Sequence, residues 1–403
     1  MSLHDALARR DRALDAAVQD LVRQAAARVP AFARRCHEAG VVPDQATGVA
    51  DLDALPVLDK DAMVAAQRAD PPFAGLLAPD ADVERVFQSP GPLYEPQLRG
   101  GDWRWGQVLA DMGVGRGDVV LNCFGYHLSP AGEMMEQGAL AAGASVLPGG
   151  IGNQDLQAAA IAELGVTAYT GLPSYLKALL ERFDAAGFDP GRWRLGKAMV
   201  TAEPLPPSLR EVLTARINDV RMAYGTAETG LLAYETADGA GMRIADGVLV
   251  QVCDLDSGTP VTDETEGQVV ITLLRTDYPL VRFGTGDLSG WMLGADGQPR
   301  LRGVLGRVGQ AVKVRGMFLH PRQVEHVMTG ITDLAGYRFV ITREDNLDAL
   351  RCEVVAGHGA DGDALAAEVR ERVREGLRFR VDVTPVVALA EGDGPLVDTR
   401  DWS

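Results

Sequence analysis

The sequence holds few cysteines, no excess of basic residues, no long apolar run and no lysine beyond Lys313. Each shortage removes a class of explanation. The four cysteines (Cys36, Cys123, Cys253 and Cys352) are widely spaced and form no CxxC pair. Neither a metal-ligand cluster nor a disulfide framework is therefore expected, and a reducing compartment fits. Thirty-nine basic against 56 acidic residues give a formal net charge of −17, spread along the chain instead of gathered in a tail. Such a surface repels phosphate backbones and anionic lipid, so no nucleic acid and no membrane partner is expected. A bound nucleotide must then be met by local positive charge or by helix N-termini. No run of 18 apolar residues occurs, and the opening MSLHDALARRDRALDAA lacks the apolar centre of a secretory signal. A cytoplasmic location is the expectation.

What is present is the material for two domains. The chain has 403 residues, 46% hydrophobic and 24% charged, which suits a well-buried globular protein too long for one ordinary core. Residues 5–39 carry Leu7, Leu14, Val18, Leu21 and Val22 at helical spacing, with Pro30 and Gly40 as punctuation. Asp59 in LDALPVLDKDAM (52–63) is placed to cap a helix. Then short apolar strands alternate with helices: VVLNCFGY (119–126), SPAGEMMEQGALAAG (129–143), ASVLPGG (144–150), DLQAAAIAELG (155–165), VTAYTG (166–171) and KAMVTA (197–202). That alternation predicts an α/β fold with a largely parallel sheet. After residue 230 the texture becomes β-rich. From about residue 316 it changes again to a helix near 321–329, strands at 336–342 and 350–356, a helix at 361–376 and a strand at 379–387. The last 90 or so residues read as a small α+β domain.

Four segments carry candidate chemistry: TAEPLPP (201–207), MAYGTAETG (222–230), YPLVRFGTGDLSG (278–290) and GRVGQAVKVRGMFLHPRQVE (306–325). The first follows a predicted strand, at the edge where α/β sheets bind ligands. Singly they say little. Glu228 reads equally as a helix-start carboxylate, and Asp287 as an ordinary turn residue.

In this order and spacing the segments resemble the phenylacetate–CoA ligase branch of the adenylate-forming acyl-CoA synthetases, over roughly residues 50–400. The most specific match is KVRGMFLHPRQVE against the family's K-x-RG-x-x-x-x-P-x-x-[IV]-E junction. The resemblance implies a large N-terminal domain (1–306), a hinge (307–313) and a small mobile C-terminal domain (314–403). It implies activation of a small carboxylic acid with ATP to an acyl-adenylate, then acyl transfer to coenzyme A, with Mg²⁺ as cofactor and a homodimer as the assembly. Carried over by position, Ala202, Glu203 and Pro204 line an adenine pocket, with Gly225 and Thr226 beside it. Tyr224 stacks on the base. Glu228 holds Mg²⁺, Asp287 accepts the ribose hydroxyls, and Arg307 reaches ribose or phosphate. Lys313 and Arg315 are left for the phosphates of coenzyme A. Phe124, Tyr126 and His127, after a strand end, are candidates for the acyl pocket, though each also reads as an ordinary strand-end residue.

The resemblance breaks in two places. The family's phosphate loop, S-S-G-T-T-G-K-P, corresponds here to SPGPLYEP (89–96). Ser89, Gly91 and Pro96 persist, but the lysine has become Glu95, whose charge opposes a triphosphate by an energy on the order of 332/(ε·r) kcal/mol per charge pair. The family's C-terminal E-G-K lysine corresponds to Asp393 in LAEGDGPLVDTRDW (389–402), and Gly309-Gln310 replace the usual acidic pair of the hinge. Two readings follow. One is a working ligase with a rebuilt pyrophosphate half. The other is a relative that binds adenylate or acyl-CoA and performs a half-reaction or none.

Overall fold

The computed structural model describes residues 2–400 apart from 90–92, 309–311, 316, 320, 345–346, 378 and 391–393. Gly91, the Gly309-Gln310 pair and Asp393 lie outside the described residues, as does the side chain of Lys313. The chain divides into two compact units. One takes in Met1–Pro204 and Glu211–Val308, the other Leu205–Arg210 and Gly309–Ser403.

The expected helix over 5–39 is two helices, Leu3–Arg28 and Pro30–Glu38. Proline has no N–H to extend the first helix and drives the residue before it out of the helical region. Val29 accordingly sits at φ −107°, ψ 103° between the two. Asp59 caps the helix Lys60–Ala69 as its sequence predicts, accepting from the amides of Asp61 at 2.7 Å and Ala62 at 3.1 Å.

A nine-stranded sheet organises the large unit. Ser145–Pro148, Val119–Asn122, Ala168–Gly171, Lys197–Val200 and Asp219–Thr226 lie side by side in that order and are all parallel. These strands are shorter than the apolar runs that announce them, because their last residues turn out of the ladder at the carboxyl edge. Asp219–Thr226 then pairs antiparallel with Gly230–Glu235, and Met242–Ile244, Pro299–Leu301 and Trp291–Leu293 continue the sheet. The β-rich stretch thus extends the parallel sheet as well as forming a second one. That second sheet is antiparallel, in the order Val248–Cys253, Gly267–Leu273, Phe283–Ser289 and Gly306–Arg307. A separate hairpin, Val83–Gln88 with Tyr94–Leu98, sets Phe87 opposite Glu95.

In the small unit a four-stranded sheet runs Asp382–Pro385, Leu347–Ala356, Leu334–Glu344, Leu396–Asp398. Its core includes Phe339, Ile341, Cys352, Val354, Val369 and Val373, the last two from the helix Gly362–Gly376. Among the described residues no helix is long and apolar enough to cross a membrane.

Candidate functional site

The parallel strands all end on one edge, and the segments singled out from the sequence follow those ends. Phe124 to His127 follow Val119–Asn122, Ala202 to Pro204 follow Lys197–Val200, and Glu228 sits in the turn after Asp219–Thr226. Register fixes this convergence, with Val200 paired to Met222 and Asn122 to Thr170. Ala202 has φ +72°, a left-handed conformation that few residues with a side chain adopt. Beside it Glu203 is buried and accepts a 2.5 Å hydrogen bond from Ser174 Oγ, while Pro204 is exposed. Phe124 is buried. Tyr126 is half-buried with its hydroxyl against Asn122 Nδ2 at 2.6 Å, and His127 is exposed.

The turn that carries Glu228 is tightly built. A Cβ on Gly225 would meet the Gly230 carbonyl oxygen at 2.4 Å and the Trp105 ring at 2.8 Å, so only glycine fits. Thr226 and Thr229 share a hydroxyl hydrogen bond of 2.9 Å. Arg104, itself at φ +69°, donates from Nε to the Leu231 carbonyl at 3.1 Å and from its guanidinium to that of Thr229.

Three of the sequence-predicted residues meet in one hydrogen-bonded network. Asp287 lies opposite Arg307 on paired strands. Its Oδ1 accepts from Arg307 Nε at 2.8 Å, and its Oδ2 accepts from the Tyr224 hydroxyl, also at 2.8 Å. Tyr224 Oη lies 3.1 Å from Thr285 Oγ1, which in turn receives the Asp287 amide at 3.1 Å. Burial and then the Asp287 charge push the Tyr224 phenol well above its ordinary range.

The second cluster includes a residue that sequence reasoning missed. Lys60 Nζ forms an ion pair with Glu228, whose side chain is 2% exposed. Burial acts to raise the Glu228 carboxyl, and the Lys60 ammonium overrides it and holds the carboxyl below its usual value. Lys60 is fixed from three directions. Leu58 bridges to Phe283, Asp59 caps the helix, and Gln67 later in that helix clamps the Tyr94 backbone with bonds of 2.8 and 2.9 Å. That clamp ties the helix of Lys60 to the strand of Glu95.

Glu95 is not on an exposed loop. It lies within the strand Tyr94–Leu98 and is 3% exposed. Burial first, and then the charge of Glu228, push its carboxyl well above the ordinary range. Neither of its oxygens has a hydrogen-bond partner among the described residues, and the same holds for Ser89 Oγ and Tyr278 Oη. The donors on offer here are thus two carboxylates and two hydroxyls. Among the described residues no group of three or more His, Cys, Asp or Glu side chains is arranged to hold a metal. The set fits a hard cation such as Mg²⁺, which takes one or two carboxylates and completes its shell from water and phosphate oxygen.

In the small unit Arg315, at φ +49°, is engaged. Its amide donates to Asp348 Oδ2 at 3.1 Å and its Nε to the Asp348 carbonyl at 2.8 Å. Arg343 and Arg400 also pair with Asp348, each at 3.1 Å.

Comparison with known proteins places these observations in context. Residues 103–272 match the family model described as AMP-binding enzyme. That span holds Tyr224 and Glu228 and leaves out Lys60, Glu95, Asp287 and Arg307. The phenylacetate–coenzyme A ligase of Thermus thermophilus is 28% identical over 405 residues, covering 91% of this chain and 89% of its own. The enzyme of the same name from Aromatoleum evansii is 27% identical, covering 91% and 88%. Among solved structures, a 2-hydroxyisobutyryl-CoA ligase in complex with 2-HIB-AMP and CoA superposes with a TM-score of 0.88. It is 25% identical and covers 98% of this chain and 91% of that one.

Proposed function

Since this chain belongs to the adenylate-forming superfamily, in its phenylacetate–CoA ligase-like branch, we propose that it is an AMP-forming acid–CoA ligase. In the first half-reaction a carboxylate oxygen of the acid attacks the α-phosphorus of ATP and pyrophosphate leaves. In the second the thiol of coenzyme A attacks the acyl carbon and AMP leaves. The observation that carries this reading is the union of Tyr224, Asp287 and Arg307, from three separate sequence motifs, in one hydrogen-bonded network.

Asp287 is assigned to the ribose hydroxyls, with Arg307 and Tyr224 holding its carboxylate in place. The Tyr224 hydroxyl is already used, so its contribution to an adenine is through the ring face. Ala202, Glu203 and Pro204, with Gly225 and Thr226, are assigned to the rim of the base pocket. Glu228 is assigned to Mg²⁺, which when bound offsets the charge of the phosphate oxygens. Phe124, Tyr126 and His127 are assigned to the acid. Lys313 and Arg315 are assigned to the phosphates of coenzyme A, and Arg315 would exchange its bonds to Asp348 for them. A hinge at 307–313, a homodimeric assembly and a cytoplasmic location belong to the same reading. The net charge of −17 supports the absence of nucleic acid and membrane partners.

The test is ATP–pyrophosphate exchange together with acyl-CoA formation, over a panel of aromatic and short-chain acids. Acid-dependent exchange with CoA ester as product is expected. Ester made only from a supplied acyl-adenylate would move the protein to the half-reaction reading. Neither activity with any acid would end both.

A further inference from the structure

The turn that carries Glu228 is gripped by a segment remote in sequence, Trp103–Trp105. The Leu231 amide donates to the Trp103 carbonyl at 2.9 Å. A Cβ on Gly230 would meet that same carbonyl oxygen at 2.6 Å, so the two backbones run in contact. Between the tryptophans stands Arg104, 8% exposed. Its guanidinium donates to the carbonyls of Thr229 and Leu231, one on either side of Gly230. The first of these carbonyls belongs to the residue that directly follows Glu228.

Arg104 is itself set in place by its surroundings. Its amide donates to Asp102 Oδ1 at 2.6 Å, and its carbonyl receives the Gln107 amide at 2.9 Å. Gln137 brackets the approach, donating to the Gly101 carbonyl at 2.6 Å and accepting from the Trp103 amide at 3.2 Å. These bonds hold Arg104 at φ +69°, ψ 1°, where a residue with a side chain is strained. Among the described residues the guanidinium bonds backbone carbonyls and pairs with no carboxylate. Burial pulls it down to about 10, against the charge of Asp102. A buried cation on a strained backbone adds little to stability. It suits a position where geometry is what matters, because the planar fork of arginine fixes two acceptors relative to each other.

We propose that Arg104 is a positioning residue for Glu228. By locking the peptide groups that follow Glu228, it fixes the direction in which the carboxylate meets Lys60 and, on the ligase reading, Mg²⁺. That reading is needed only for the Mg²⁺ step, since the ion pair with Lys60 is present in the structure as it stands.

The first test needs no substrate. Thermal melts of the full chain in EDTA compare Arg104→Gly, Lys60→Met and the double variant. Glycine adopts φ +69° without strain, so the change removes the guanidinium and leaves the backbone at ease. With the turn released, Lys60 has less to lose, and the double variant should fall by clearly less than the sum of the two single falls. The second test is the Mg²⁺ dependence of ATP–pyrophosphate exchange. Half-saturating Mg²⁺ should rise by roughly 10-fold or more in Arg104→Gly, as it does when a group that orients a metal ligand is removed. Additive falls in melting temperature overturn the proposal, and so does a Mg²⁺ dependence matching that of the unaltered chain. If Arg104→Gly fails to fold, Asp102→Ala takes its place in both tests, since it keeps the guanidinium and removes only the bond that orients its backbone. Absence of exchange in the unaltered chain removes the ligase reading, and the melts alone then decide the role of Arg104.

Discussion

Replacing Asp287 by alanine should cost both stability and nucleotide affinity, and the structure sets the scale. The carboxylate accepts two 2.8 Å bonds, one from the Arg307 guanidinium and one from the Tyr224 hydroxyl. Its side chain is 9% exposed and that of Arg307 is 13%. Removing one member of a buried pair typically costs about 3–5 kcal/mol, because the other charge is stranded. Arg307 keeps a weak 3.5 Å contact with the Thr285 carbonyl, and Tyr224 keeps Thr285 Oγ1. The expected loss is therefore below that range, about 2–3 kcal/mol, or a fall of roughly 2–5 °C in melting temperature for a chain of this length. If the same carboxylate also takes the ribose hydroxyls, AMP affinity should fall by roughly 10- to 100-fold in calorimetry, the equivalent of about 1.5–3 kcal/mol. Adding Tyr224→Phe isolates the contact. The double variant should lose less than the sum of the singles, by about 1 kcal/mol. Additivity to within about 0.4 kcal/mol would refute the coupling. A stability loss with AMP affinity unchanged would leave the network purely structural and remove Asp287 from the nucleotide site.

Two further outcomes follow from other features. A buried acid whose carboxyl is raised in the folded state binds its proton more tightly there than when unfolded, so it lowers stability as pH climbs above the ordinary carboxylate value of 4.5. In EDTA, Glu95→Gln should therefore melt higher than the unaltered chain at pH 8, with the gap narrowing toward pH 4.5; a gap independent of pH would mean that Glu95 is not held neutral. Limited proteolysis should cut first within 307–313 and give one large N-terminal and one small C-terminal fragment, and early cuts confined to other segments would remove the proposed hinge.

The sequence made much of the frame legible because its cues are local. Apolar runs such as VVLN and KAMV bounded by turn residues identify parallel strands, and Asp59 ahead of a helical period identifies a cap. Tyr224, Glu228, Asp287 and Arg307 were found through motif order, which retains information that the isolated residues lack. Lys60 was hidden for the opposite reason. At the first turn of an amphipathic helix it looks like any solvated lysine, and its partner Glu228 is remote in sequence, so no periodicity links them. The one available signal was scarcity, since the chain holds only four lysines, Lys60, Lys177, Lys197 and Lys313. The burial of Glu95 was equally obscure. YEPQL contains a charge, a proline and a glutamine, a poor strand by propensity, and it is ordered by pairing with Val83–Gln88 and by the Gln67 clamp. Tertiary context overrode local preference there.

The sheet changes sense at Asp219–Thr226, which is parallel to one neighbour and antiparallel to the other, and this bears on the order in which the molecule assembles. On the antiparallel side, the next two strands, Gly230–Glu235 and Met242–Ile244, join by hairpins between residues close in sequence, so the entropy lost in closing each loop is modest. On the parallel side every pairing must wait for a helical crossover to be spanned. Tyr224 and the turn of Glu228 therefore belong to the part of the chain able to organise early. Lys60 and Glu95 arrive only when the N-terminal helices and the 83–98 hairpin dock. The Lys60–Glu228 ion pair thus joins segments far apart in sequence, and a spectroscopic probe placed beside it is expected to respond later than one beside Tyr224.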